Sequence, residues 1–232
     1  MDIILRLMLA HILGDFFFQT EKCCKEKKQR TLKGICYSAL HALIMAILAY
    51  VIIGDWYCWL IPVIILTSHF LIDLCKSWYQ KDAIYSFVID QAAHIFIIIA
   101  IGYIYADGHI SWEIGSRSNF LLYGLSYLII LKPTSILTKL FINQWAPSGG
   151  SMGTLPNAGK WIGYLERILT LTFIYANHVE GIGFLLAAKS IFRFGDLNKA
   201  KDVRTTEYVL LGTFMSFAIS ILIGFAVKGI IG

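Results

Sequence analysis

The chain has 232 residues, of which 57% are hydrophobic and only 15% charged, with a mean hydropathy of +0.67 and a net charge of +5. A soluble domain carries about 25% charge, so an ordinary soluble globular protein is excluded; apolar runs that are continuous rather than alternating argue against a transmembrane barrel. The positive balance reads as contact with anionic membrane lipids and requires no nucleic acid.

The predicted fold is all-α, a polytopic helical membrane protein. Eight apolar segments occur in chain order, at about 2–20, 35–53, 56–77, 83–106, 119–138, 161–177, 180–194 and 207–231. Each approaches the ~20 residues that cross ~30 Å of hydrocarbon. Segment 180–194 is short and carries Lys189 and Arg193, so the count is seven if it does not cross. The first segment lacks a basic start and a small-residue cleavage site, and is kept as part of the mature chain. Gly54-Asp55 predicts a tight turn, and 107–118 a polar loop. Two prolines and four glycines make 140–160 an irregular stretch. The chain divides on this reading into a four-helix half, 1–106, and a second helical half, 107–232.

Lysine and arginine concentrate on the cytoplasmic side of spans. With the N-terminus outside, 16 of the 20 fall on inner loops or inner helix ends, and the 21–34 and 140–160 loops are cytoplasmic. Cys23, Cys24, Cys36, Cys58 and Cys75 form no C-x-x-C pair, and Cys23-Cys24 fall in the basic loop, so free thiols are expected. Trp56, Trp59, Trp78, Trp112 and Trp161 sit near span ends, where interfacial anchoring explains them. His109 and His178 fall in outer loops.

The chemistry lies in the first four segments. His11/Asp15, His69/Asp73 and Asp90/His94 are each four residues apart, and His41 lies in the remaining segment. Residues at that spacing share one helix face. Ionisable groups at membrane depth are costly and mark function by default. Counted from the inner ends, the seven lie within a slab on the order of 10 Å thick at ~1.5 Å per residue. Helices that alternate in direction do not produce such a level by accident. Imidazole and carboxylate ligands without thiols suit zinc, manganese or iron, as one or two divalent ions. Gln19 and Gln91 read as supports, and Lys76 as a partial counter-charge. The bland alternatives are helix–helix hydrogen bonding and a proton relay.

In the second half, Glu166-Arg167 lies within an apolar segment, and Lys189 and Arg193 are one turn apart. Arg167, Lys189 and Arg193 are candidate anion clamps for substrate. A structural Glu166–lysine or Glu166–arginine pair is the plainer reading.

The motifs Ala-His-Ile-Leu-Gly-Asp-Phe (10–16), Ser-His-Phe-Leu-Ile-Asp-Leu-Cys-Lys (68–76) and Asp-Gln-Ala-Ala-His (90–94) resemble those of an uncharacterised bacterial integral-membrane family. The segments 158–167, 189–194 and 206–213 resemble its longer members. The resemblance implies a protein of the bacterial inner membrane and supplies no activity. Intramembrane His/Asp clusters are similar, by analogy only, to those of membrane-bound metal-dependent hydrolases.

The expected function is a membrane-embedded, metal-dependent hydrolase acting from the cytoplasmic leaflet on a lipid or a small phosphorylated or acylated molecule. Its metal ligands would come from His11, Asp15, His41, His69, Asp73, Asp90 and His94, with Asp90 or Glu166 as general base. A divalent-cation or proton-coupled transporter is the alternative. A membrane effector or sensor with a structural metal site is the third.

Overall fold

The computed structural model describes residues 1–29, 31–79, 84–106, 115–146, 158–194 and 202–232, and leaves the side chains of 78, 79, 117, 192–194 and 202–205 outside that description. The expectations for His109, Trp112 and the Arg193 side chain fall outside the described residues, as does 147–157.

The described residues are helical, with no strand among them. The helices are α1 (Asp2–Ile12), α2 (Glu21–Lys27), α3 (Leu32–Ile53), α4 (Leu60–Tyr79), α5 (Ile84–Tyr105), α6 (Ser116–Ile130), α7 (Lys132–Ile142), α8 (Ala158–Tyr175), α9 (Glu180–Phe194) and α10 (Asp202–Ile231). Among the described residues five segments are long and apolar enough to cross a membrane: Leu32–Ile53, Leu60–Ser77, Ile84–Tyr105, Ser118–Trp145 and Thr206–Ile231. A sixth results if Asp2–Phe18 and Glu21–Lys27, which meet at 92°, are one broken span. The described residues thus give five or six such segments where eight were expected. α9, with 15 residues, reaches only about 22 Å at ~1.5 Å per residue. α8 carries Lys160, Glu166 and Arg167 in 18 residues.

The chain forms two compact units, Met1–Leu125 and Ser126–Gly232. In the first, α1, α3, α4 and α5 pack together, and α2 lies against α3. Their shared core is Leu7, Ala10, Met45, Ala49, Ile53, Ile61, Ile65, Ile98 and Ile101. These residues lie toward one end of the four helices, and the His/Asp positions continue toward the other. Outward faces are apolar too, with Ile47, Val51, Phe96 and Ile104 exposed. A helix apolar all round belongs in lipid or in a large core.

Local chemistry sets the turns. α1 runs on into a π-helical turn, Leu13–Phe18, closed by Gln19 N–H donating to the Gly14 carbonyl at 3.0 Å. The basic segment after it, expected as a loop, contains α2. Thr20 caps α2 by accepting from the Cys23 N–H at 3.2 Å, and Thr31 caps α3 by accepting from the Gly34 N–H at 3.2 Å. Gly54 ends α3 in the left-handed region, φ 71°, where only glycine is unstrained.

In the second unit α10 packs on α7 and α8, and α8 on α9. The segment expected as one span at 119–138 lies within one membrane-length segment, Ser118–Trp145, whose helix is interrupted at Leu131, ahead of Pro133. Pro133 has no N–H to give the Ile129 carbonyl, and the Thr134 hydroxyl donates to that carbonyl instead, at 2.8 Å. The stretch expected to be irregular from 140 stays helical to Ile142 and continues as a 3₁₀ turn, Asn143–Trp145.

Gly34 is where α2 approaches α3. A Cβ there would collide with the Gln29 carbonyl oxygen and lie 2.9 Å from that of Glu26. Both are backbone atoms, so relief requires moving the chain. Gly34→Ala should lower stability by roughly 1–3 kcal/mol, read as a fall in the thermal midpoint of the detergent-purified protein. Gly124, with open space around its Cβ position, is the control, and Gly124→Ala should leave the midpoint level or raise it.

Candidate functional site

α1, α3, α4 and α5 bring His11, His41, His69 and His94 into contact in the first unit. All four are 2–3% exposed. Ring centroids of His69 and His94 are 4.2 Å apart, those of His11 and His94 5.1 Å, and those of His11 and His69 5.6 Å. His41 lies beside them, 6.4 Å from His69.

Hydrogen bonds assign the ring protons. His11 Nε2 lies 3.2 Å from Gln91 Oε1, which can only accept, so Nε2 carries the proton. His11 Nδ1 then accepts from His69 Nε2 at 3.4 Å and lies 3.9 Å from Asp15 Oδ2. His41 Nε2 donates to the other oxygen, Asp15 Oδ1, at 2.9 Å. Gln91 Nε2 donates to Asp15 Oδ2 at 3.4 Å and to Asp90 Oδ2 at 3.2 Å. His94 Nδ1 donates to the Asp90 backbone carbonyl at 2.8 Å, which leaves its Nε2 unprotonated. His69 Nδ1 is buried without a hydrogen-bond partner among the described residues.

One ligand atom each from His11, Asp15 and His69 lie within 4.8 Å of one another. With ligand bonds of about 2.0–2.1 Å, a tetrahedral ion separates its donors by about 3.4 Å. The His11–His69 spacing meets that value, and the Asp15 spacing is slightly wide. His41 and Gln91 orient the Asp15 carboxylate and fix the His11 tautomer, as supporting residues do around metal ligands.

The other carboxylates have their own cations. Lys76 Nζ donates to Asp90 Oδ2 at 2.5 Å. Lys27, from α2, forms an ion pair with Asp73 Oδ2. Thus Asp73, one turn from His69, is held by a lysine outside the three-atom group. Three carboxylates and two lysines leave one net negative charge at Asp15, if the imidazoles are neutral. One divalent ion suits that balance better than two.

Gln19 joins the same network. With its amide oxygen turned toward Lys27, it accepts from Lys27 Nζ at 2.7 Å and donates to the Asp15 carbonyl at 3.2 Å. Sequence reasoning placed Lys27 only in a basic loop and gave Gln91 a minor part. Nothing in the pattern marks Lys27, because the bend after the π-helical turn delivers it. For Gln91 the signal was its place in Asp-Gln-Ala-Ala-His.

The two faces of the cluster differ. Leu7, Ala10, Met45, Ala49, Ile65 and Ile98, all apolar, pack beside His11 and His69. On the opposite side lie Asp15, Asp73, Asp90 and Lys76, followed by α2. Lys76 has 47% of its side chain exposed.

The candidates in the second unit have partners there. Lys189 Nζ donates to Glu166 Oε2 at 2.7 Å. Arg167 is 4% exposed and donates to Ser216 Oγ at 2.9 Å and Ser135 Oγ at 2.6 Å. His178, exposed, pairs with Glu180 at 3.1 Å. The five cysteines are free thiols.

Fold and site together define a class: a helical protein with several membrane-length segments and a buried His/Asp cluster in its N-terminal bundle. Within that class the chain belongs to the DUF3307 family, described as a protein of unknown function, which matches residues 3–122. The resemblance to an uncharacterised family is thereby borne out, and the matched region includes every residue of the cluster. No curated protein and no solved structure matches the chain significantly.

The Lys27–Asp73 pair is nearly buried, with 11% and 8% of the two side chains exposed. Removing one partner of a buried pair strands the other and costs roughly 3–5 kcal/mol. Lys27→Met should therefore destabilise sharply in chemical denaturation, whereas Lys27→Met/Asp73→Leu should regain most of the loss. Equal losses in the single and double variants would contradict the pairing.

Proposed function

We propose that the cluster holds one divalent transition-metal ion, zinc by its ligand set, on His11 Nδ1, His69 Nε2 and Asp15. We further propose that the protein is a membrane-embedded metal-dependent hydrolase. The observation that carries this reading is the triad of donor atoms within 4.8 Å of one another. Three protein ligands and one free position is a catalytic layout, whereas structural zinc has four protein ligands. Held by His11, His69 and Asp15, such an ion would supply Lewis acidity, lowering the pKa of a bound water to about 7 and polarising a carbonyl or phosphoryl oxygen. His94, whose Nδ1 proton is held by the Asp90 carbonyl, would present an unprotonated Nε2 able to take a proton from such a water. The Asp90 carboxylate, tied to Lys76 and Gln91, anchors Lys76. Glu166 is engaged by Lys189 and takes no part.

Access is one-sided on this reading. The apolar layer of Leu7, Met45, Ile65 and Ile98 closes one face, and substrate arrives from the α2 side. That asymmetry favours hydrolysis over transport, which needs a path through both faces. The substrate carries an acyl or phosphoryl centre and sits at the membrane surface, either as a lipid or as a small molecule.

The orientation follows from the basic residues. With the N-terminus outside, α2 and the loops before α8 and after α9 are cytoplasmic, in a bacterial inner membrane. An α8–α9 hairpin that crosses fully and one that re-enters leave α10 in the same direction, so eight spans and six share this arrangement. Single-cysteine variants in intact cells test it. A membrane-impermeant maleimide should label Cys58, at the α3–α4 turn, and spare Cys24 until the membrane is opened.

Metal analysis of the purified protein tests the centre. Wild type should carry about one zinc per chain, and His11→Ala and His69→Ala should lose most of it. With zinc bound, His94→Gln should retain the ion and lose roughly 100-fold or more of ester or phosphoester hydrolysis in mixed micelles. Negligible metal in wild type and variants alike would end the proposal. Bound zinc with ion flux in proteoliposomes and no hydrolysis would assign transport instead.

A further inference from the structure

The second unit holds a charge without a counter-charge. Arg167 is 4% exposed, and its contacts among the described residues are neutral: Ser216 Oγ at 2.9 Å, Ser135 Oγ at 2.6 Å and the Leu131 carbonyl at 3.5 Å. Its Cζ lies 5.3 Å from the Tyr164 ring centre. No carboxylate among the described residues contacts it, because the neighbouring Glu166 is taken by Lys189. A guanidinium has five N–H donors, and Nε is buried without a partner. Isolated buried charge is among the most expensive things a fold can contain.

Unserved hydroxyls lie one helical turn away. Tyr164 precedes Arg167 by one turn on α8, and Thr138 follows Ser135 by one turn on α7. Both hydroxyls are buried and lack a hydrogen-bond partner among the described residues. Tyr164 lies on the N-terminal side of Arg167 on α8, and Thr138 on the C-terminal side of Ser135, an Arg167 partner, on α7. Lys160 lies 5.7 Å from the same Tyr164 ring. Gly163, one turn from Arg167 on α8, leaves its face bare, so that a Cβ there would rest 3.5 Å from Nη1.

We infer that α7, α8 and α10 form a binding site for a small oxyanion, held by Arg167 with the hydroxyls of Tyr164 and Thr138 and approached past Lys160 and Gly163. The ligand class is a phosphate group. Arginine grips it through two parallel N–H bonds, and hydroxyls donate to its remaining oxygens. Phosphate arrives either free or as the headgroup of an anionic phospholipid. The site is independent of the metal cluster, for no member of it lies in the first unit.

The test uses the full chain in a neutral detergent. Inorganic phosphate and short-chain phosphatidic acid are titrated separately at constant ionic strength, with chloride as reference, and the thermal midpoint is read. One or both should raise the midpoint; phosphate alone identifies a soluble ligand, and phosphatidic acid alone a lipid headgroup. Arg167→Gln should abolish the shift. Tyr164→Phe and Thr138→Val keep the charge and keep the test valid if Arg167→Gln does not fold. Each should weaken binding roughly five- to ten-fold, the worth of one hydrogen bond. Removing an unsatisfied buried hydroxyl should leave the ligand-free midpoint level or higher, which a merely structural hydroxyl would not do. The inference is overturned if neither ligand moves the wild-type midpoint beyond chloride, or if Tyr164→Phe and Thr138→Val respond as wild type does.

Discussion

A carboxylate among apolar helices must be neutralised where it stands, and the first unit is organised by that requirement. Each of its three central aspartates meets a different solution. Asp73 takes a lysine from α2, Asp90 takes one from α4, and Asp15 is left to histidines and a glutamine amide. A buried pair stands only when its remaining lone pairs and protons are also satisfied. Gln91 serves that need three times, at His11, Asp15 and Asp90, and so couples α1 and the turn after it directly to α5. The unequal treatment of the aspartates gives the cluster its chemical character, because the one without a lysine is the one that faces the histidine rings.

The apolar core supplies the complementary condition. Leu7, Met45, Ile65 and Ile98 are each one helical turn from the histidine of their own helix. Packing there fixes helix depth, and depth fixes the level at which the imidazoles meet. Gly14 lets α1 and α3 approach closely, since any Cβ at that position would press on the Met45 side chain. The polar layer is thus positioned by its apolar neighbour.

Much of this arrangement was legible in the sequence, for identifiable reasons. One-turn spacing of His11 with Asp15 and of Asp90 with His94 placed each pair on one face, and a common depth in antiparallel helices implied that they meet. The helical class followed from long apolar runs. Other features were hidden. Lys27 reaches Asp73 only through the 92° bend after the π-helical turn, and such a turn has no clear residue signature beyond a nearby glycine. The length of α9 and the break at Leu131 depend on cap and proline geometry, which hydropathy averages away. Arg167 was conspicuous as a charge in an apolar segment, but serines as its partners were not, because serine is common wherever membrane helices touch. Lys76 was legible as a partial counter-charge, but not which aspartate it serves. Two of the aspartates are satisfied locally, which reduces the charge available to an ion.

The seat of α2 has a thermodynamic corollary. No residue of this seven-residue helix is buried, so little apolar surface holds it in place. Its attachment rests on the reach of Lys27 into the charged layer, and the strength of that attachment scales inversely with the local dielectric. A rise in the dielectric beside Asp73 therefore loosens α2 more than it would a helix seated on apolar surface.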